Sequence, residues 1–94
     1  MSLKYRLWSK FQEAKRTKSF AVLNLGKGLS IKIYPNHVLE CSRVSSKPGD
    51  NELKTVARDA SLEDFSIVWH GQRAFIVPDS VKDFEPPEPP LEAA

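Results

Sequence analysis

The sequence predicts a mainly β, α+β fold. One N-terminal helix should precede a small five- or six-stranded antiparallel barrel or half-barrel of SH3 or OB size, followed by a disordered, acidic, proline-rich C-terminal tail. Three observations predict this. Residues 2–18 contain neither Gly nor Pro and carry apolar residues at helical spacing. Residues 19–78 break into short, β-rich runs separated by turn residues. Residues 85–90 read Glu-Pro-Pro-Glu-Pro-Pro, which favours extended polyproline II with little to bury. The chain therefore divides into a basic amphipathic helix (1–18), a small β domain (19–84) and a Pro/Glu tail (85–94).

The elements follow in order. Leu3, Leu7, Trp8, Phe11 and Ala14 fall on one helical face, which predicts a helix ending near Thr17. In "LSIKIYP", Leu29, Ile31 and Ile33 alternate with Ser30, Lys32 and Tyr34, the period of a half-buried strand. Gly26-Lys27-Gly28 would join it tightly to "SFAVLNL", because glycine tolerates positive φ. Pro35-Asn36 turns the chain into "HVLECSRV", where His37, Leu39 and Cys41 would share one face and Val38, Glu40 and Ser42 the other. "SSKPGDNE" is a loop. "LKTVARDA" fits a strand or a short helix, and the β-branched Thr55 and Val56 favour the strand. "FSIVWHGQRAFIVP" reads as a hairpin, with His70-Gly71 as the turn and Pro78 ending the return strand. Phe65, Trp69 and Phe75 should fill the core. "DSVKDF" is compatible with one helical turn capped by Asp79 or Ser80.

Bulk composition narrows the function classes. A chain of 94 residues is one domain, burying only about 60–65% of its unfolded surface. It holds one cysteine, Cys41, so no internal disulfide forms, which suits a reducing compartment or a virion built in one. No apolar run approaches the roughly 20 residues of a membrane span, and no signal-peptide pattern is visible. The expected location is cytoplasmic or in a virion.

Charge is unevenly placed although the net value is only +2. Residues 1–18 carry Lys4, Arg6, Lys10, Lys15, Arg16 and Lys18 against Glu13, a local +5. Residues 79–94 carry Asp79, Asp83, Glu85, Glu88 and Glu92 against Lys82, a local −4. A basic body with an acidic tail suggests an anionic partner.

Catalytic patterns are sparse. "NLGKGLS" lacks the spacing of a phosphate-binding P-loop and precedes a strand rather than a helix. His37, Cys41 and His70 are the strongest candidate transition-metal ligands, but His37 and Cys41 would lie roughly 13 Å apart along a strand, too far for one ion. Cys41 beside His37 lacks a glycine-lined oxyanion hole, and the adjacent Glu63 and Asp64 would point apart on a strand. Cys41 then reads as a small buried hydrophobe.

The expectation is a non-catalytic binding or assembly module with no cofactor, metal or small-molecule substrate. Its size and composition also suit a viral or phage accessory or virion protein. Lys4, Arg6, Lys10, Lys15, Arg16 and Lys18 would contact an anionic macromolecule, whether protein, nucleic acid or membrane surface, and self-association stays open. Two narrower readings compete: a small nucleic-acid-binding protein with an acidic tail, and a peripheral membrane protein anchored by the N-terminal helix.

Overall fold

The structure, a computed structural model, describes residues 2–85. Helix α1 (Leu3–Thr17) leads into strand β1 (Ala21–Asn24), a single 3-10 turn (Gly26–Gly28), β2 (Leu29–Ile33) and β3 (Leu39–Arg43). Helix α2 (Asp50–Asp59) then precedes β4 (Phe65–His70) and β5 (Arg73–Pro78). The five strands form one antiparallel sheet in the order β1-β2-β3-β5-β4. The sheet is not closed into the expected barrel: β1 and β4 stand at its two ends and do not pair. The physical reason is that both of its faces are covered from within the chain, so it need not curl onto itself to bury them.

Helix α1 forms as its spacing predicts. Ser2 Oγ accepts the Tyr5 N–H at 3.3 Å as the N-terminal cap. Lys15 and Arg16 sit in the last turn, where cations oppose the helix dipole. Lys18 ends the helix in the left-handed region at φ 56°, and the Ser19 N–H returns to the Ala14 carbonyl at 3.3 Å.

One sheet face is covered by both helices. Two rows of paired residues cross it: Leu23, Ile31, Cys41, Ala74 and Trp69, and Ala21, Ile33, Leu39, Ile76 and Ile67. Leu7 of α1 and Leu53, Val56 and Ala57 of α2 pack onto these rows, with Leu3 and Phe11 alongside. On the opposite face, Val38, Phe75 and Val77 form a second buried group beneath Tyr34, Val68, Val81 and Phe84.

Residues 53–59, expected as a strand, are helical. Leu53, Val56 and Ala57 stand at i, i+3 and i+4, all buried, a helical stripe that outweighs two β-branched residues. Glu52 Oε1 accepts the Gly49 N–H at 2.9 Å, and Asp50 adds a second acid to the first turn. The helix stops where Ser61 takes φ 61°, with Ser61 N–H on the Arg58 carbonyl and Leu62 N–H on the Ala57 carbonyl.

Three smaller expectations also change. The β4–β5 turn is Gly71-Gln72 rather than His70-Gly71, since His70 pairs with Arg73 and Gly71 takes the positive φ (67°) of the first loop position. Trp69 shares the helix-covered face with Phe65 and Ile67 but lies at the sheet margin, 40% exposed. Its face was legible in the alternation; its place in the strand order was not. Residues 79–84 form a turn and irregular chain rather than a helical turn. The Pro/Glu tail from residue 86 onward lies outside the described residues.

A clamp holds α2 to the sheet. Arg43, on β3, donates Nη1 to Glu52 Oε1 at 3.0 Å, a second bond from Nη2 to Oε2, and Nε to the Lys27 carbonyl at 2.8 Å. Its planar fork suits this bidentate pairing. The arginine, with the Gly49 N–H, pulls the Glu52 carboxyl from its usual 4.5 down to about 2. A depressed carboxylate stabilises the fold fully above its unfolded pKa and loses that contribution as pH falls toward the folded value. Glu52→Gln should therefore lower Tm at pH 7, by the equivalent of roughly 1 kcal/mol for a partly exposed pair. It should also flatten the loss of Tm between about pH 4.5 and 2. Thermal melts across that window check both, and parallel curves for the two proteins would refute the assignment.

Candidate functional site

The outward side of α1 gathers the densest charge and two exposed aromatics, Tyr5 and Trp8. Leu7 and Ala14 are buried against the sheet, so the helix cannot rotate without exposing them. At 100° per residue this fixes where the six cations lie. Lys4 and Lys15 flank one side of the buried stripe, Arg6 and Lys10 flank the other, Arg16 lies on the back, and Lys18 follows the last turn. They do not form a single stripe.

Three of the six touch their own protein. Arg6 Nη2 donates to the Asn24 carbonyl at 3.4 Å. Lys10 Nζ lies 3.8 Å from a Glu13 carboxylate oxygen. Lys15 Nζ sits 5.3 Å from the centre of the Phe11 ring, within cation–π range. Among the described residues, Lys4, Arg16 and Lys18 have no ion-pair partner.

Trp8 departs from the sequence expectation. Its spacing predicts a place on the docking stripe, but it is 57% exposed, and Tyr5 beside it is 52% exposed, with ring centres 6.2 Å apart. The sequence carried a signal for this: Tyr5 and Trp8 are three apart, on a line rotated away from Leu7 and Ala14. The stripe that docks is Leu3, Leu7, Phe11 and Ala14.

Beneath this side lies a recess of about 280 Å³ between α1, the β2–β3 turn and the end of α2. Leu7, Phe11, Ile33 and Leu39 give it apolar walls, and Lys4 and His37 stand at its margin. His37 is not in a strand as expected; it occupies the turn at φ 74°. Its ring centre lies 4.0 Å from that of Phe11. Burial, and then the charge of Lys15, lower its pKa from the usual 6.5.

The opposite sheet face holds a buried carboxylate. Glu40 is 3% exposed, accepts the Tyr34 hydroxyl at 2.8 Å and pairs with Arg73 Nη1 at 3.2 Å. Burial, and then the hydrogen bond to Glu40, push the Tyr34 phenol up to about 12. With both polar partners in place, this group reads as a satisfied structural network.

Among the described residues no three His, Cys, Asp or Glu side chains cluster as metal ligands, and no helix is long and apolar enough to cross a membrane. No protein-family model, curated protein or solved structure matches the chain.

Cys41 sits between Ile31 and Ala74 in the sheet, fully buried. Burial, then the nearby carboxylates of Glu40 and Glu52, push its thiol up to about 12. At neutral pH it is neither ionised nor reachable, so it cannot serve as a nucleophile. A water-soluble disulfide reagent should leave the native protein unmodified and label one thiol on addition of denaturant. Rapid labelling without denaturant would contradict the burial of this strand.

Proposed function

We propose that the protein is a non-catalytic binding module whose α1 outer side engages a nucleic-acid strand. The observation that carries this reading is the exposure of Tyr5 and Trp8 among Lys4, Lys15 and Arg16 on a helix whose apolar stripe is already occupied. Cations meet phosphates and offer affinity without sequence readout, while aromatic faces accept unstacked bases. A single strand suits this surface better than a duplex, because its bases are free to stack.

The same observation weighs against the membrane reading. An interfacial helix inserts its apolar side between lipids, and here Leu3, Leu7 and Phe11 pack on the sheet. The acidic stretch that begins at Asp79 would compete with phosphates for the same cations, and so would temper affinity.

The test uses the full chain with Trp69→Phe, leaving Trp8 as the sole indole. Titration with a short single-stranded oligonucleotide should quench Trp8 emission, and affinity should fall steeply with salt. Replacing Lys4, Lys15 and Arg16 by Gln should leave the far-ultraviolet spectrum unchanged and reduce the log–log salt slope by about 2, the loss of three phosphate contacts. An unchanged slope and affinity would overturn the assignment of this surface. Binding to anionic vesicles but not to the oligonucleotide would overturn the choice of partner.

A further inference from the structure

We infer that strand β4 is a self-association edge: two copies of this chain pair β4 with β4, antiparallel about Ile67, into one continuous ten-stranded sheet. Among the described residues, strand β4 lies at the end of the strand order, with β5 as its one neighbour. Which of its backbone groups are free follows from its register. The two-residue turn makes His70 and Arg73 a hydrogen-bonded pair. The Asp79 N–H also donates to the Asp64 carbonyl at 3.0 Å. Antiparallel pairs alternate, so residues 64, 66, 68 and 70 bond to β5. Phe65, Ile67 and Trp69 turn their N–H and C=O groups outward.

The two sheet edges differ in how they are protected. On β1, the Leu25 N–H donates to the Leu29 carbonyl at 2.7 Å, so Val22 and Asn24 face outward. Arg6 already takes the Asn24 carbonyl. That edge is four residues long and, among the described residues, leaves Val22 alone with neither outward group served. Strand β4 is six residues, Phe-Ser-Ile-Val-Trp-His. It carries no Lys, Arg, Asp, Glu or Pro, the residues that ordinarily blunt an edge.

A second copy fits this edge better than an unrelated strand because β4 is self-complementary. Centred on Ile67, the pairing brings Ile67 against Ile67 and Phe65 against Trp69 of the second copy, each pair exchanging two backbone hydrogen bonds. All three outward residues are then satisfied; a shift of one residue sets each of them against an inward-bonded residue, and a shift of two in either direction leaves one of them without an outward-facing partner from this strand. Phe65, Ile67 and Trp69 are partly exposed and share the helix-covered face, so the new pairs extend an existing apolar row. Cross-strand aromatic pairs are among the favourable ones. On the other face, Asp64 falls opposite His70 of the second copy, and no like charges meet. The operation is a two-fold, which closes at a dimer.

Two measurements on the full chain test this. Sedimentation equilibrium should show a monomer–dimer equilibrium with a dissociation constant on the order of micromolar to tens of micromolar. Amide exchange should show Ser66, Val68 and His70 protected at every concentration, while Phe65, Ile67 and Trp69 gain protection as the dimer fills. Trp69→Glu gives Lys47, whose amine lies 5.5 Å from the Trp69 ring, a charge partner within the monomer. It also sets a carboxylate against Phe65 of the second copy. It should weaken the dimer about tenfold or more with the circular dichroism of the monomer kept. A chain that stays monomeric to about 1 mM, or a dimer in which those three amides exchange as fast as in dilute solution, overturns the inference.

Discussion

The apolar side of the sheet has to be covered, and the way α1 covers it decides the rest of the molecule. Ten residues in two crossing rows, from Leu23 and Ala21 at one edge to Trp69 and Ile67 at the other, form a surface that water would leave unstable. Helix α1 closes part of it with Leu7 and Ala14, and α2 closes more with Leu53, Val56 and Ala57. Burying a leucine such as Leu7 contributes about 2–3 kcal/mol, more than any single surface charge on the same helix. Packing therefore sets the rotation of α1, and the cations occupy what remains. The exposed Tyr5 and Trp8 follow from that rotation and are not an independent feature.

The second face is covered differently. Phe75, Val38 and Val77 lie under Tyr34, Val68, Val81 and Phe84, with the ring of Phe84 5.3 Å from that of Phe75. A short return of chain past Pro78 thus replaces a second layer of helices. Neither covering reaches fully to β4. The half-exposed residues of that strand are the consequence, and they mark the margin where the fold has apolar surface left over.

Local pattern made much of this legible. Residues 2–18 combined an apolar stripe with Ser2 as cap and no breaker, and α1 follows. The alternation of Leu29, Ile31 and Ile33 gave β2, and the pairing of the last two strands was visible before their register. Helix α2 is not legible from local propensity, because Thr55 and Val56 favour a strand while the buried stripe of Leu53, Val56 and Ala57 is a tertiary signal. Closure was not legible because it depends on strand order and on what covers each face, and β5 stands beside β3 although α2 and β4 separate the two in the chain. Alternation gave Trp69 its face but said nothing of its nearness to an edge. Of the candidate site, the six cations were readable as charge. Their division between the two sides of a docked stripe was not, because it depends on which apolar residue leads the packing.

Native-state hydrogen exchange in graded denaturant tests the docking of α1 most directly, because it compares the opening free energy of the helix with that of the sheet. If α1 is integral to the core, the amides of Leu7 to Ala14 should merge with those of Ile31, Cys41 and Ile76 into one global unfolding isotherm. If the helix amides instead exchange through an opening several kcal/mol below that of the sheet, α1 is a detachable arm, and the orientation of its cations is not fixed by packing.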